Sequence, residues 1–204
     1  MFDSHPGHRA QDSSLMKIAI LGGRFDPPHI GHYLVAKQIL TLRKDIDKVL
    51  FVPAFQHQWK PIVANPNHRI KMLQSFLEPG MEISDVEIRR GGISYSIDTV
   101  KAIKKQTNAE IFWIVGSDIL PEFHRWQRVD DLLKLATFLV FPRDPHALPE
   151  VIPQGFEVIS SPKLLTANFS STAIREKIRS GESIKYLVPE GVEEYIRKHK
   201  LYAK

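Results

Sequence analysis

Two histidines, His29 and His32, lie three residues apart, shortly after a pair of glycines. The full stretch reads Gly22-Gly23-Arg24-Phe25-Asp26-Pro27-Pro28-His29-Ile30-Gly31-His32. Residues three apart in a first helical turn lie on one face, so both imidazoles can face the same anion. Histidine is also a common metal ligand, and the pair could instead be half of a metal site.

A strand, a glycine turn and a helix are predicted around this pair. The apolar run 17–21 precedes the glycines, and residues 33–42 carry apolar side chains at roughly helical spacing. Two adjacent glycines let the backbone turn sharply and approach a ligand closely, because no Cβ intervenes. The helix start then offers free N–H groups and the positive end of its dipole. We therefore interpret the stretch as a nucleotide phosphate site.

Metal ligation and a structural helix start without a ligand stay open as alternatives. A zinc site needs a third ligand, and the sequence has no cysteine and no His-Glu-x-x-His motif. An acidic ligand cluster is not visible either. We therefore expect no metal held by the protein itself.

The same stretch resembles the signature of the adenylyltransferase superfamily that uses an HxGH motif, with His29-Ile30-Gly31-His32 as that motif. One position departs from the pattern. Arg24 stands where the family usually has Thr or Ser, so a phosphate-directed hydroxyl is missing and Arg24 could supply charge instead.

The composition of the 204-residue chain, with 43% hydrophobic and 25% charged residues, is that of an ordinary soluble globular protein. No apolar run approaches the ~18 residues that a membrane helix needs, so we expect no membrane partner. The net charge of +5 favours anionic ligands, but lysine and arginine are spread along the chain, so we expect no nucleic acid partner. The absence of cysteine fits a reducing compartment, and a cytoplasmic protein is expected.

The first fifteen residues are polar and lack the apolar core of a signal peptide. We predict a disordered leader over residues 1–15 and a single domain over residues 16–204, a length that suits one α/β core. Met16 directly precedes the first predicted strand, so translation from Met16 is an alternative start. The sequence leaves the oligomeric state open, a homo-oligomer included.

Apolar runs alternate with stretches of helical spacing along the chain. The predicted strands are residues 17–21, 49–52, 82–88, 111–115, 137–141 and 156–159. The predicted helices are residues 33–42, 68–77, 129–136, 171–180 and 188–198, and one more with Ser96 as its N-cap and Asp98 in its first turn. This alternation predicts an α/β fold, a Rossmann-like doubly wound parallel sheet of five to six strands with a helical C-terminal part.

Two further segments are predicted to reach a ligand. Gly116-Ser117-Asp118 follows the apolar run 111–115, and ligands of open α/β sheets bind at the carboxyl ends of strands. In residues 168–175, hydroxyl groups cap a helix start, and Arg175 could donate two hydrogen bonds to a phosphate. An ordinary capped helix with a solvated arginine is the alternative. Two separate anion sites would suit a triphosphate.

Three segments resemble elements of the nicotinate mononucleotide adenylyltransferases. Residues 94–100 are similar to that family's Ser-Tyr-Thr-Ile-Asp-Thr-Leu, residues 168–175 to its Ser-Ser/Ala-Thr-x-x-Arg, and Gly116-Ser117-Asp118 with Phe123 and Trp126 to its Gly-x-Asp, Phe and Trp series. With the histidine stretch, four motifs stand in the family's order. The resemblance implies transfer of AMP from ATP to nicotinate mononucleotide, giving deamido-NAD and pyrophosphate in NAD biosynthesis.

The resemblance also implies a role for each matching residue. His29 and His32 would contact the ATP phosphates, with His32 helping to stabilise the reacting α-phosphate. Asp118 would bind a ribose hydroxyl, and Trp126 would stack on the pyridine ring. The other implied contacts to ATP are Gly22, Gly23, Arg24, Phe25, Gly31, Gly116, Ser170, Thr172 and Arg175. In the absence of such ligands, Asp118 could cap a helix, Trp126 could anchor a surface and Tyr95 could lie in the core.

The chain departs from the family at the mononucleotide end. The backbone around Tyr95 and Ser96 would read the carboxylate of the pyridine ring. Residues 54–67 lack the usual Pro-Pro-His-Lys run and offer Gln56-His57-Gln58-Trp59-Lys60, in which Lys60 is the expected contact. This departure leaves the choice between nicotinate and nicotinamide mononucleotide open.

Three other functions stay open from the sequence. They are adenylyl transfer to nicotinamide mononucleotide, adenylyl transfer to phosphopantetheine, and nucleotide binding without catalysis. For the implied reaction, the attacking phosphate is already an oxyanion near neutral pH, so no general base is required. Catalysis would then rest on positioning and charge neutralisation, with Mg²⁺ held mainly by the ATP phosphates and water.

Overall fold

Six strands form one sheet in the computed structural model, which describes residues 15–203. The strands are β1 (Lys17–Gly23), β2 (Lys48–Pro53), β3 (Met81–Ile83), β4 (Glu110–Gly116), β5 (Thr137–Phe141) and β6 (Phe156–Val158). They pair in the order β3-β2-β1-β4-β5-β6, and every pair is parallel. The predicted Rossmann-like sheet is therefore confirmed. The leader expected over residues 1–15 lies, apart from Leu15, outside the described residues.

Helices cover both faces of the sheet. They are α1 (Ile30–Leu42), α2 (Pro66–Gln74), α3 (Val86–Arg90), α4 (Ser96–Thr107), α5 (Val129–Leu133), α6 (Ser171–Arg179) and α7 (Glu190–His199), with a 3₁₀-helical segment at Ser117–Arg125. Side chains alternate across β1, so Ile18 and Ile20 pack with α3, α4 and α5, while Ala19 and Leu21 pack with α1 and α2. Such burial on both faces explains why the central strands are continuous apolar runs.

A third apolar cluster joins the C-terminal helices to α2. Met72 of α2 packs with Ile174 of α6, Val192 of α7 and Tyr202 beyond it. This cluster lies apart from the two faces of the sheet and brings residues 171–202 next to the connection between β1 and α1. Within residues 15–203, no helix is long and apolar enough to cross a membrane.

The strand predicted over residues 82–88 is wrong beyond Ile83. β3 ends at Ile83, and α3 begins at Val86. Asp85 precedes this helix and forms an ion pair of 2.8 Å with Arg89, one turn on. Glu87 is buried and accepts a hydrogen bond from Thr99. A polar residue thus occupies a buried position, where the alternating pattern of a strand would require an apolar residue.

The two glycines do not form the predicted turn. Gly22 and Gly23 both lie in β1, where they pair with β2. Gly22 instead gives room to the ring of Trp113, since a Cβ there would lie 2.7 Å from it. The chain bends at Asp26 and Pro27 instead, directly after Phe25, a non-glycine residue with a φ of 49°.

Two helix starts also differ from the prediction. α1 begins at Ile30, with His29 as its N-cap, rather than at residue 33. α4 has Tyr95 as its N-cap, so Ser96 is the first helical residue instead of the cap, while the predicted place of Asp98 in the first turn is confirmed. The first turn of α1 borders a cavity through Gly31 and His32, so it lacks the apolar spacing that reveals a helix. The first turn of α4 contributes Ser96 to the same cavity, while Ile97 packs in the core.

Candidate active site

A cavity of about 360 Å³ opens at the carboxyl ends of β1 and β4. β2 and β3 lie on one side of β1, and β5 and β6 lie on the other side of β4. The strand order therefore reverses between β1 and β4, which is where open α/β sheets bind ligands. The predicted site residues that line the cavity are Gly22, Gly23, His29, Gly31, His32, Ser96, Gly116, Asp118 and Trp126. The volume is in the range of small-molecule sites.

The two histidine rings stack in the wall of this cavity, with their centroids 3.7 Å apart. The backbone N–H of His29 donates to Nδ1 of His32 over 3.1 Å, so the proton of the neutral His32 ring lies on Nε2. Phe169 covers the other side of His29, with ring centroids 6.0 Å apart. Gly31 permits this packing, because a Cβ would lie 3.1 Å from Nδ1 of His29 and 3.3 Å from Phe169.

Both histidines are uncharged near neutral pH in the free protein. Burial, together with the positive charge of Arg143, lowers the pKa of His29 to about 3. Burial likewise lowers the pKa of His32 well below 6.5, with additional effects from His29, Arg143 and Arg24. The pair therefore meets a ligand as neutral hydrogen-bonding groups.

The amino end of α1 offers fewer free amides than expected. Ile30 N–H donates to the carbonyl of Leu187 over 3.1 Å, and His32 N–H donates to the carbonyl of His29 over 3.0 Å. Of the first three helical amides, this leaves only that of Gly31 free within the described part of the chain. Gly31 lines the cavity, so its amide and the helix dipole still favour an anion there.

Asp118 also lines the cavity. Oδ2 of Asp118 lies 3.5 Å from Nη1 of Arg143, whose Nη2 donates to the carbonyl of Phe169 over 3.0 Å. Oδ1 is buried and has no hydrogen-bond partner among residues 15–203. Asp118 does not cap a helix, because the N-cap of the 3₁₀ segment is Gly116. Gly116 has no side chain, which leaves room for Oδ1 of Asp118. An unpaired buried acceptor of this kind suits a ligand hydroxyl.

The other end of the cavity is aromatic. Trp126 lines it and packs edge-on against Trp113, with ring centroids 6.2 Å apart. Ser96 and the buried carboxyl of Glu87 lie on the same wall. Burial raises the pKa of Glu87, whose Oε1 accepts a hydrogen bond of 2.5 Å from Thr99.

Arg24 and Phe25 do not line the cavity, and their predicted contacts with ATP stay predictions. Nη1 of Arg24 donates to the carbonyl of Pro61 over 3.1 Å. The side chain of Phe25 is only 1% exposed, and its ring packs edge-on against that of His32, with ring centroids 4.9 Å apart. Phe25 therefore supports the ring of His32 from the core.

Lys60 and Tyr95 also lie outside the cavity wall. Lys60 belongs to a shallow depression formed by residues 55–62. The ring of Tyr95 packs against the core next to the sheet, which leaves its backbone and Ser96 near the cavity. Their predicted contacts with the mononucleotide stay predictions.

The start of α6 braces the histidine loop instead of opening into the cavity. Ser170 caps this helix by accepting the Ala173 N–H, as predicted. Arg175 donates through Nη1 to the carbonyl of Asp26 over 2.7 Å and through Nη2 to Thr172 over 3.2 Å. Arg175 thus reaches the loop that carries His29 and His32, but it does not line the cavity.

Sequence reasoning missed several residues of the cavity wall. They are His57, Glu87, Ser94, Arg143 and Phe169. Arg143 follows the carboxyl end of β5, so the rule that identified Asp118 could also have found it. Phe169 precedes the predicted helix cap at Ser170. The positions of His57, Glu87 and Ser94 depend on how two loops pack together, which no local pattern reveals.

Comparison with known proteins shows which families the chain resembles. Residues 20–177 match the model of a family described as cytidylyltransferase-like. A relative in a Hydrogenobaculum species, named "Probable nicotinate-nucleotide adenylyltransferase", is 38% identical over 93% of this chain and 100% of its own. A relative of the same name in Oceanobacillus iheyensis is 34% identical over 92% of this chain and 97% of its own.

Solved structures share the fold. A nicotinic acid mononucleotide adenylyltransferase of Plasmodium falciparum, complexed with NaAD, aligns with a TM-score of 0.78 at 22% identity, over 92% of this chain and 97% of its own. The same Plasmodium enzyme complexed with APC aligns with a TM-score of 0.75 at 21% identity, over 92% and 97% of the two chains.

Proposed function

Because the chain belongs to the cytidylyltransferase-like family and, within it, to the nicotinate-nucleotide adenylyltransferases, we propose that it transfers AMP from ATP to nicotinate mononucleotide. The products are deamido-NAD and pyrophosphate, a step of NAD biosynthesis. The observation that carries the proposal is one cavity lined both by a stacked histidine pair and by Asp118, whose Oδ1 has no partner among the described residues.

The reaction needs no proton acceptor in the protein. A phosphate oxygen of nicotinate mononucleotide attacks the α-phosphorus of ATP, the bond to the oxygen that bridges the α- and β-phosphorus breaks, and pyrophosphate leaves. Negative charge builds on the bridging oxygen, and donors placed around it lower the barrier. His29, His32 and the Gly31 amide are the donors at that wall, and Arg143 adds positive charge.

The adenosine and pyridine ends are placed by different groups. Asp118 accepts a ribose hydroxyl through its free Oδ1, and Trp126 stacks on the pyridine ring at the aromatic end. The peptide N–H groups around Ser96 face the carboxylate of nicotinate. In this arrangement the protein aligns the phosphate of nicotinate mononucleotide with the α-phosphate of ATP, and this alignment is its main contribution to the rate.

Mg²⁺ supplies charge neutralisation on the triphosphate when it is bound. Within residues 15–203, no group of three or more histidine, aspartate or glutamate side chains is placed to hold a metal ion. The residues present therefore fit an ion that arrives with ATP and keeps phosphate and water ligands.

The direct test is pyrophosphate release from ATP and Mg²⁺ with three acceptors in parallel. We expect release with nicotinate mononucleotide and deamido-NAD as the co-product. Faster release with nicotinamide mononucleotide or phosphopantetheine would replace the proposed acceptor. Calorimetric binding of ATP with no release for any acceptor would instead indicate a nucleotide-binding module.

A further inference from the structure

Asp26 lies three residues before His29 and its carboxylate is completely buried. It accepts three hydrogen bonds, from Val63 N–H at 2.7 Å, Ala64 N–H at 2.9 Å and the hydroxyl of Tyr202 at 2.9 Å. A buried carboxylate is stable only while such donors stay in place.

We propose that Tyr202 is a positioning residue for the histidine pair and acts through Asp26. The inference deepens the proposed function and rests on it, since the effect on rate presupposes that His29 and His32 meet the triphosphate. Tyr202 does not line the cavity, so it does not touch the substrates itself.

The C-terminal segment holds the loop between β1 and α1 at three more points. Arg175 donates to the carbonyl of Asp26, and Ser171 donates to the carbonyl of Pro27 over 2.9 Å. Leu187 accepts the first amide of α1 over 3.1 Å. These three contacts hold the backbone of the loop. Tyr202 instead binds the side chain of Asp26, which also accepts the N–H groups of residues 63 and 64. Asp26 therefore connects the loop to residues 63–64 on one side and to the C-terminal segment on the other.

The hydroxyl of Tyr202 can act only as a donor toward Asp26. Tyr202 is 6% exposed, and burial together with the charge of Asp26 raises its pKa above the ordinary value. Without this hydroxyl, Oδ1 of Asp26 keeps a single donor, the Ala64 N–H. A buried carboxylate that loses a donor moves toward the remaining ones, and the displacement passes along the short loop to His29.

The test compares Tyr202→Phe with Tyr195→Phe. Tyr195 packs against the same apolar cluster, and its hydroxyl bonds to Nδ1 of His68 at 3.0 Å, with no link to the histidine loop. Both variants lose one hydroxyl and keep the ring, so both should fold, with a lower thermal midpoint for Tyr202→Phe because a buried carboxylate loses a donor. Rates are compared well below both midpoints. We expect Tyr202→Phe to lower kcat about tenfold, because small displacements of catalytic groups are costly, and Tyr195→Phe to leave it within twofold.

A double variant separates positioning from a structural role. If Tyr202 acts through the histidines, Tyr202→Phe should have less than about a twofold effect on kcat in the His32→Ala background, because coupled changes are not additive. Equal effects in both backgrounds, a kcat for Tyr202→Phe within twofold of the unsubstituted protein, or an equal loss in Tyr195→Phe would overturn the inference.

A measurement on the free protein distinguishes failure of the inference from failure of the proposed function. Tyr202→Phe should shift the imidazole NMR signals of His29 and His32, and Tyr195→Phe should not. Shifted signals in a protein that releases no pyrophosphate would leave the positioning intact and reject the reaction. Unshifted signals would reject the positioning, whatever the activity.

Discussion

The loop that carries the histidine pair, residues 24–29, differs in construction from the loop at the other end of the cavity, residues 54–62. The first is held by buried hydrogen bonds to Asp26 and by the edge-on ring of Phe25. The second is held by a bridge between Gln56 and Ile93 and by exposed contacts, namely the hydrogen bond from Arg24 to the carbonyl of Pro61 and Arg125 lying 5.0 Å from the ring of Trp59.

This difference matches the chemistry proposed for the two ends. Buried hydrogen bonds to a carboxylate are costly to break, so the loop of residues 24–29, where the triphosphate is proposed to bind, keeps its conformation before any ligand binds. An exposed contact between a cation and an aromatic ring contributes about 0.5–1 kcal/mol, so the mononucleotide end can adjust. Changes in the first region should therefore act on kcat, and changes in the second on KM for the acceptor.

The largest expected effect belongs to the histidine loop. His32→Ala should lower kcat by about 10²-fold or more while the protein stays folded, because one donor to the transition state is lost. His124→Ala is the matched control, since His124 is exposed on the 3₁₀ segment. Steady-state kinetics and circular dichroism check both variants. An unchanged kcat for His32→Ala would remove His32 from the mechanism.

The next largest effect is on stability at acid pH. The pKa of His29 is about 3 in the folded protein against about 6.5 when unfolded, so the unfolded state binds more protons below pH 6.5. The stability contributed by His29 is complete above pH 6.5 and is lost as pH falls toward 3, by about 2 kcal/mol between pH 7 and pH 5.

Urea unfolding of the unsubstituted protein and of His29→Asn at these two pH values measures this loss. The variant should lose less stability than the unsubstituted protein. His57→Asn, in the exposed loop, should change the loss much less, because His57 is only partly buried. Parallel losses in the unsubstituted protein and His29→Asn would contradict the neutral, buried state of His29.

At the mononucleotide end, Trp126→Ala should raise KM for nicotinate mononucleotide about tenfold, because ring stacking of this size contributes about 1.4 kcal/mol. KM for ATP should change far less. Measuring both constants in one variant provides the control, since general loosening of the cavity would raise them together. Equal increases would argue against stacking on the pyridine ring.

The smallest effect is expected from Trp59→Ala. Trp59 is 46% exposed, and its contact with Arg125 lies outside the cavity wall. We expect KM for the mononucleotide to rise no more than about threefold, in line with the weak contact, and kcat to stay unchanged. A loss of kcat as large as that of His32→Ala would show that the two loops do not differ as described.

Much of the fold followed from the sequence, because strands buried on both faces must be apolar runs. The six strands lie where those runs predict them, except that residues 82–88 mix apolar and polar positions and divide into β3 and α3. Asp118 and Trp126 line the cavity as expected, since both follow the carboxyl end of β4. Lys60 does not, because its loop carries no periodic pattern that would fix its direction.

What the sequence by itself determined is the order of the six strands and of every α-helix except α3, the histidine pair and the chemistry that such a pair can perform. These depend on neighbours within one helical turn or one strand. Only the tertiary structure decided which groups hold the pair in place: Asp26 and Tyr202 are 176 residues apart, and Asp26 and Arg175 are 149 apart. A hydrogen bond between distant residues depends on burial and packing of the whole chain, which no local pattern records.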